Sequence, residues 1–159
     1  MGIRSIKKTY ANKKKENNRL ELENMRLDKK IDSIRKKGGL DCRKTIKNLE
    51  CYLELRNTNC QIIDQNNRFF EIIERAIDRL EKQSEETSFR FFKESLLDNK
   101  RQTDIAYECG KDERTIGRHV APLNKKLLEL ISFEVKIYLR VEIDYKRHLE
   151  TIKNKSKVV

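Results

Sequence analysis

Tryptophan is absent from the sequence, proline occurs once, and glycine occurs only five times among 159 residues. So few turn-forming residues exclude a fold built of many short elements, because tight turns depend on glycine and proline. Only 36% of the residues are hydrophobic, below the ~45–50% that is usual for globular domains. We therefore expect one or two domains of a mainly all-α fold, with long amphipathic helices around several small packed clusters.

Long apolar runs are also missing. No segment approaches the ~18 apolar residues that a membrane-spanning helix needs. The basic N-terminus lacks the apolar stretch of a signal peptide, and Ile6 stands where a myristoylation signal has serine or threonine. The sequence predicts a cytoplasmic protein without a membrane partner.

Motifs for metal binding and catalysis are lacking too. Cys42, Cys51 and Cys60 are spaced by nine residues, about 2.5 helical turns, so neighbouring thiols would point to opposite helix faces. There is no CxxC, and neither His119 nor His148 has ligand spacing to a cysteine. A glycine-rich phosphate loop and a nucleophile–base motif are also absent. We predict reduced, structural cysteines, no metal, no cofactor and no enzymatic activity.

Positive charge is what the chain has in excess, with a net charge of +11. Residues 1–37 contain 13 basic and 5 acidic residues, and residues 126–159 contain 8 and 5. This excess favours a polyanionic partner, because lysine and arginine near phosphates release condensed counterions. The alternative is a lysine-rich protein whose charge only aids solubility.

Residues 1–37 are predicted to form a basic helical arm with a narrow apolar seam. An aliphatic residue recurs every seven positions, at Leu20, Leu27 and Ile34. Asn17 and Asn24 would then occupy a positions of a coiled coil, where buried asparagine favours a dimer. A partly disordered basic arm is the alternative.

Gly38-Gly39 interrupts the pattern, and residues 40–83 are predicted to be a helical packing or oligomerisation region that starts near Asp41. Its apolar residues recur at spacings of three and four, at Phe69, Ile72, Ile73, Ala76 and Leu80. Such a stripe is typical of a helix that needs a partner. It indicates either core or a dimer surface.

Residues 84–131 are predicted to be a helix-turn-helix DNA-binding domain, with the motif at Gln102–Lys126. The first helix would bury Ile105, Ala106 and Cys109, and the small Ala106 would let a second helix cross closely. Gly110 suits the turn, which commonly needs a positive φ, and Asp112 is a favourable N-cap. The second helix would bury Ile116, Val120 and Leu123, which recur at four and three.

The opposite side of that second helix carries the candidate DNA-binding residues: Lys111, Arg114, Thr115, Arg118 and Lys125. A basic outer row suits the major groove, because arginine can bond a guanine edge with two hydrogen bonds. Threonine can contact a thymine methyl or a phosphate. The alternative is an ordinary helical hairpin with a solvated charged face.

Residues 132–159 are predicted to be a C-terminal extension with a strand at 133–145. Seven apolar residues alternate there with mostly charged ones: Phe133, Val135, Ile137, Leu139, Val141, Ile143 and Tyr145. Alternation of β-branched and aromatic residues is typical of a strand. A lone strand would have to pair with the same strand of a second copy, so we expect a homodimer. A helix is the alternative.

The residues Gln102-Thr-Asp-Ile-Ala, Gly110 and Arg114-Thr-Ile-Gly-Arg-His-Val resemble the sigma-factor domain that reads the −35 element. With its helical N-terminal half, the chain is similar to phage late-gene transcription regulators of the RinA, ArpU and LtrC kind. The resemblance is specific over about residues 85–130. It departs at Lys111, where an apolar residue is usual, and at Pro122, which should kink the reading helix near its end.

This resemblance implies activation of phage late genes in the cytoplasm of a host bacterium, with double-stranded DNA and RNA polymerase as partners. Two alternatives remain open from the sequence. A small terminase subunit also combines a helix-turn-helix with helical oligomerisation segments, but it would assemble as a ring of many subunits. A helical protein-binding adaptor would not bind duplex DNA at physiological salt.

Overall fold

A computed structural model describes residues 1–38 and 42–158, with side chains described up to residue 151. These residues form five α-helices and contain no strand, which confirms the mainly all-α fold. The helices are α1 (Ile3–Lys37), α2 (Arg43–Gln83), α3 (Glu86–Leu96), α4 (Gln102–Cys109) and α5 (Glu113–Val158). Gly39 and the predicted helix start at Asp41 lie outside the described residues.

The chain divides into two compact units. The hairpin unit is Tyr10–Arg68, and the helix-turn-helix unit combines Met1–Thr9 with the chain from Phe69 onward. Helices α1 and α2 each contribute to both units, because the boundaries fall within these helices.

The hairpin unit is an antiparallel pair of helices. Asn17 on α1 donates to Asn67 on α2, whereas Asp28, further along α1, accepts from Arg56, which lies earlier on α2. Residue numbers thus rise along α1 as they fall along α2. This pairing buries Leu20 and Leu27 of the seam and also Ile31, whereas Ile34 is half-buried.

Buried amides run through the centre of this hairpin. Asn66 is 2% exposed, and its Nδ2 donates to Glu16 Oε1 and Asn17 Oδ1, both at 2.8 Å. Its Oδ1 accepts from Lys13 Nζ at 3.2 Å. Asn24 accepts from Asn59 Nδ2 at 3.1 Å in the same way.

The asparagines that the sequence placed in a dimer seam are thus satisfied within the chain. Asn17 and Asn24 bond to α2, which is tethered to α1 and therefore competes at a high effective concentration with a second copy. Buried polar groups in proteins are nearly always hydrogen-bonded, and here α2 supplies the partners.

The helix-turn-helix unit combines the C-terminal half of α2 with α3, α4 and α5, and α2 packs on α5 where Phe69 meets Tyr138. Its core residues are Phe69, Ile73, Leu80, Phe89, Phe92, Leu96, Leu123, Leu127 and Ile131, all buried. The predicted α2 stripe is therefore core. The N-terminal segment joins this unit: Ile6 is buried, and Lys7 Nζ donates to Ser95 Oγ at 2.6 Å. Burial lowers the pKa of Lys7.

The strand predicted at 133–145 is wrong, because α5 continues through it. Val135 and Tyr138 are buried, while Phe133 is 73% and Ile137 50% exposed, so burial follows a helical period and not a period of two. The Tyr138 ring packs 5.4 Å from that of Phe69, centroid to centroid. Tertiary packing on α2 thus overrides the local β-propensity, and the proposed pairing of two strands has no basis.

Pro122 lies inside α5, and the helix runs on to Val158 beyond it. Proline removes the N–H that would bond the carbonyl of Arg118. Both residues are exposed, so water can reach that carbonyl. The helix therefore continues well past the proline at which the sequence predicts a kink.

We expect Asn66→Ala to destabilise the protein by about 2 kcal/mol, because it removes the buried hydrogen bonds that Asn66 makes with Asn17 Oδ1 and Lys13 Nζ. Chemical denaturation followed by circular dichroism measures this change. Asn48→Ala, an exposed position on the same helix, is the matched control and should cost nothing. Equal stabilities of the two variants would show that the buried amides contribute no net stability.

Candidate nucleic-acid interface

Five buried side chains hold α3, α4 and α5 together. They form one cluster, with Cys109 packed against it: Phe91, Ile105, Ala106, Ile116 and Val120. The small Ala106 allows α5 to cross close to α4, as the sequence predicts. This cluster fixes the angle at which α5 presents its outer face.

The turn between α4 and α5 depends on Gly110. Its φ is 63° and its ψ is 31°, in the left-handed region. The N–H of Gly110 donates to Tyr107 O at 3.3 Å, and the N–H of Lys111 donates to Ala106 O at 2.9 Å. This pair of bonds is the Schellman pattern, which satisfies carbonyls at the end of a helix.

The next helix starts immediately after this turn. The carbonyl of Asp112 accepts from the N–H groups of Thr115 and Ile116, at 3.0 and 3.3 Å. These bonds place Asp112 at the N-cap position that the sequence predicts.

The structure brings four of the five predicted DNA-binding residues onto the N-terminal part of α5. Arg114, Arg118 and Lys125 are exposed on its outer side, and Thr115 is half-buried beside them. Lys111 is also exposed, but it precedes α5 and lies in the turn. The predicted residues therefore make a row on one helix with a cation at its N-terminal end.

Contacts with α3 fix the rotation of α5. Nδ1 of His119 and Oγ of Ser88 are hydrogen-bonded at 2.6 Å. The His119 ring also meets Phe91 edge-on, with 5.5 Å between centroids. Because His119 faces α3, the basic row on the other side of α5 faces solvent.

Helix α4 approaches α5 at Gly117. A Cβ atom added to Gly117 would lie 3.3 Å from Oε1 of Gln102. A glycine in a helix interior costs roughly 0.5–1 kcal/mol relative to alanine, and here it leaves room for the Gln102 side chain beside the basic row.

Arg90 and Phe91 on α3 also belong to this surface, although the sequence pattern did not predict them. Phe91 is fully buried, and the Arg90 guanidinium carbon lies 5.2 Å from its ring centroid. Lys111 Nζ lies 5.4 Å from the same centroid. The density of aromatic residues could have indicated them. Helix α3 has Phe89, Phe91 and Phe92 within four residues, and these three rings cannot all lie on one narrow apolar stripe of the helix.

The contact between Lys111 and Phe91 explains why this chain has a lysine where the motif that it resembles usually has an apolar residue. An apolar residue at that position would pack on the core, and the methylene groups of lysine can do so while the ammonium stays in water. The Phe91 ring beneath it adds a cation–π attraction.

Charge is distributed unequally between the α4 side and the α5 side of the motif. Lys100 Nζ bonds Glu108 Oε2 at 3.0 Å, and this hydrogen bond raises the pKa of Lys100. Asp104, Tyr107 and Glu108 are exposed on the outer side of α4. The surface that favours an anion is thus the α5 side of the motif.

Comparison with known proteins finds no matching protein family, no curated relative and no similar solved structure. No helix among the described residues is long and apolar enough to span a membrane. Among the side chains of residues 1–38 and 42–151, no three His, Cys, Asp or Glu are grouped to hold a metal ion.

We expect Gly110→Ala to destabilise the protein by about 1 kcal/mol, because a Cβ disfavours the left-handed conformation. The space beside Gly110 is open, so the cost is conformational and not steric. Gly110→Asn should cost less, since asparagine tolerates this conformation. Thermal denaturation of the two variants measures the difference, and an asparagine variant as unstable as alanine would refute this explanation.

Proposed function

We propose that this protein is a sequence-specific, double-stranded-DNA-binding transcription regulator whose reading helix is the N-terminal part of α5. It is a binding protein and not an enzyme, and it needs no cofactor. One observation carries the proposal: Arg114, Arg118 and Lys125 form an exposed basic row that no carboxylate among the described residues neutralises.

The chemistry of the row fits the major groove. An α-helix fits this groove in width, and the N-terminal residues of a reading helix reach the base edges. Arg114 and Arg118 are one turn apart and can each donate twice to a guanine. Thr115 lies between them, and Lys125 would contact phosphate further along the groove.

A role as a phage or prophage late-gene activator in the host cytoplasm, with RNA polymerase as a second partner, rests on the resemblance of residues Gln102 to Val120. The buried cluster between α4 and α5 supports such a role, because a regulator must keep its reading helix in position while it contacts another protein.

We expect Arg114→Ala and Arg118→Ala each to cost ~1–3 kcal/mol of binding free energy on the preferred duplex and to relax the preference for one base. Fluorescence anisotropy on duplexes selected from a random library measures both effects. Arg75→Ala is the control, since Arg75 is exposed on α2 of the same unit. Equal losses on selected and random duplexes would mean that these arginines contact phosphate only.

We further propose a homodimer in which α5 pairs with α5 of a second copy. Four apolar residues form an exposed stripe on α5, here called the α5 stripe: Leu130, Phe133, Ile137 and Val141. Their spacings of three and four place them on one face of the helix. Exposed apolar patches of this kind often mark protein interfaces.

The charges at the ends of the α5 stripe suit an antiparallel pair. Lys126 and Asp144 are both exposed and are separated by five full helical turns, so they lie on the same face. Lys126 lies nine residues before Val135, and Asp144 lies nine residues after it. Phe133 and Ile137 likewise lie two residues before and two residues after Val135. An antiparallel two-fold pair centred at Val135 therefore places Lys126 opposite Asp144 and Phe133 opposite Ile137 of the second copy.

We expect Phe133→Glu to weaken dimerisation by roughly thirtyfold or more, because it puts a charge into the centre of the interface. Sedimentation equilibrium measures the association. Ile143→Glu is the matched control, since Ile143 is exposed on the same helix but off the α5 stripe. Lys126→Asp should also weaken the dimer, and adding Asp144→Lys should restore it. A wild-type monomer at high concentration would contradict this proposal.

A further inference from the structure

Two cations lie over the same buried ring beside the turn of the helix-turn-helix. Arg90 comes from α3 and Lys111 from the turn after α4, and the ring is that of Phe91. Nη2 of Arg90 also lies 3.9 Å from Sγ of Cys109, as a weak hydrogen bond. Two segments 21 positions apart in the sequence thus bring positive charge to one place.

These cations are held in position without being neutralised. Neither Arg90 nor Lys111 forms an ion pair in the described part of the chain. Lys100 and Arg56, by contrast, are each paired with a carboxylate, that of Glu108 and that of Asp28. An aromatic ring orders a cation but leaves its charge and its hydrogen-bond donors available to an anion.

The position of the pair relative to the reading helix indicates which anion it would meet. Lys111 lies two residues before the first residue of α5, and Phe91 belongs to the cluster that anchors Ile116 of that helix. When the N-terminal part of α5 enters the major groove, neighbouring parts of the motif meet the sugar–phosphate wall of the groove. The anion within reach is therefore a backbone phosphate.

We propose that Arg90 and Lys111 form a phosphate clamp that grips the DNA backbone beside the groove that α5 reads. The clamp rests on the proposed DNA-binding function and adds a site to it. Arginine offers a planar fork of donors to phosphate oxygens, and lysine adds a compact charge. Because phosphates are the same at every base pair, the clamp sets the register of α5 on the duplex without reading sequence.

The clamp also couples the interface to the core. Phe91 contacts the cluster formed by α4 and α5, so a phosphate bound to both cations lies over the point where three helices meet. The orientation of the duplex is then fixed relative to the buried cluster rather than to a flexible side chain.

The test uses the full-length protein, a duplex selected from a random library, and a random duplex. We expect Arg90→Ala and Lys111→Ala each to weaken binding roughly fivefold to tenfold on both duplexes. Each should also reduce the slope of log affinity against log salt by about 0.9, the value for one lost phosphate contact. Arg90→Lys should keep the slope close to that of the wild type.

Lys100→Ala is the matched control, because it removes a cation of the same domain that Glu108 already neutralises. It should leave affinity and slope unchanged, and thermal denaturation should show that all variants are folded. A neutral methylphosphonate placed singly along the backbone of the selected duplex should locate the clamped phosphate. At that position it should weaken the wild type but not the variant in which both cations are alanine.

The outcomes separate the clamp from the function on which it rests. If Arg118→Ala loses sequence preference while Arg90→Ala and Lys111→Ala bind like wild type, the clamp is overturned and the function stands. A loss confined to the selected duplex would also overturn it, since that result indicates base contacts. If the wild type binds no duplex at any salt concentration, the proposed function and the clamp fail together.

Discussion

The burial of Phe91 is the interaction on which the packing of α3, α4 and α5 depends. Its ring closes the cluster with Ile105, Ile116 and Val120, and this small core sets how α5 crosses α4. The same ring meets the edge of His119 and underlies Arg90 and Lys111. One apolar side chain thus fixes the helices, the rotation of α5 and two of the charges on the surface.

The geometry of α4, the turn and α5 was predictable because several local sequence features specify it independently. The small Ala106, the left-handed turn at Gly110 and the inward spacing of Ile116 and Val120 each specify the same geometry, and all lie within 15 residues. The contribution of Arg90 could not be predicted, since it depends on contact between segments that are distant in the sequence. Periodicity identifies which residues of one helix are buried, but not which neighbouring element lies over them.

Two further expectations failed for a related reason. The alternation after Phe133 satisfies the strand pattern, yet its members at Val135 and Tyr138 also extend the helical stripe of Leu127 and Ile131. A sequence compatible with both periods adopts the one that the rest of the chain can bury. Likewise Asn17 and Asn24 have the spacing of a dimer seam, and spacing alone does not say whether the partner helix belongs to the same chain.

The uninterrupted course of α5 fixes the distance and the angle between its basic row and its apolar stripe. Its basic row and its apolar stripe are joined by helix alone, so each added residue would move one relative to the other by 1.5 Å and 100°. Seven added residues would return the stripe to nearly its original face while lengthening the helix by ~10 Å, about three base pairs of DNA. In the proposed dimer, the insertions that keep the α5 stripe facing its partner are therefore those of about one or two helical turns, because other short lengths would turn the stripe away.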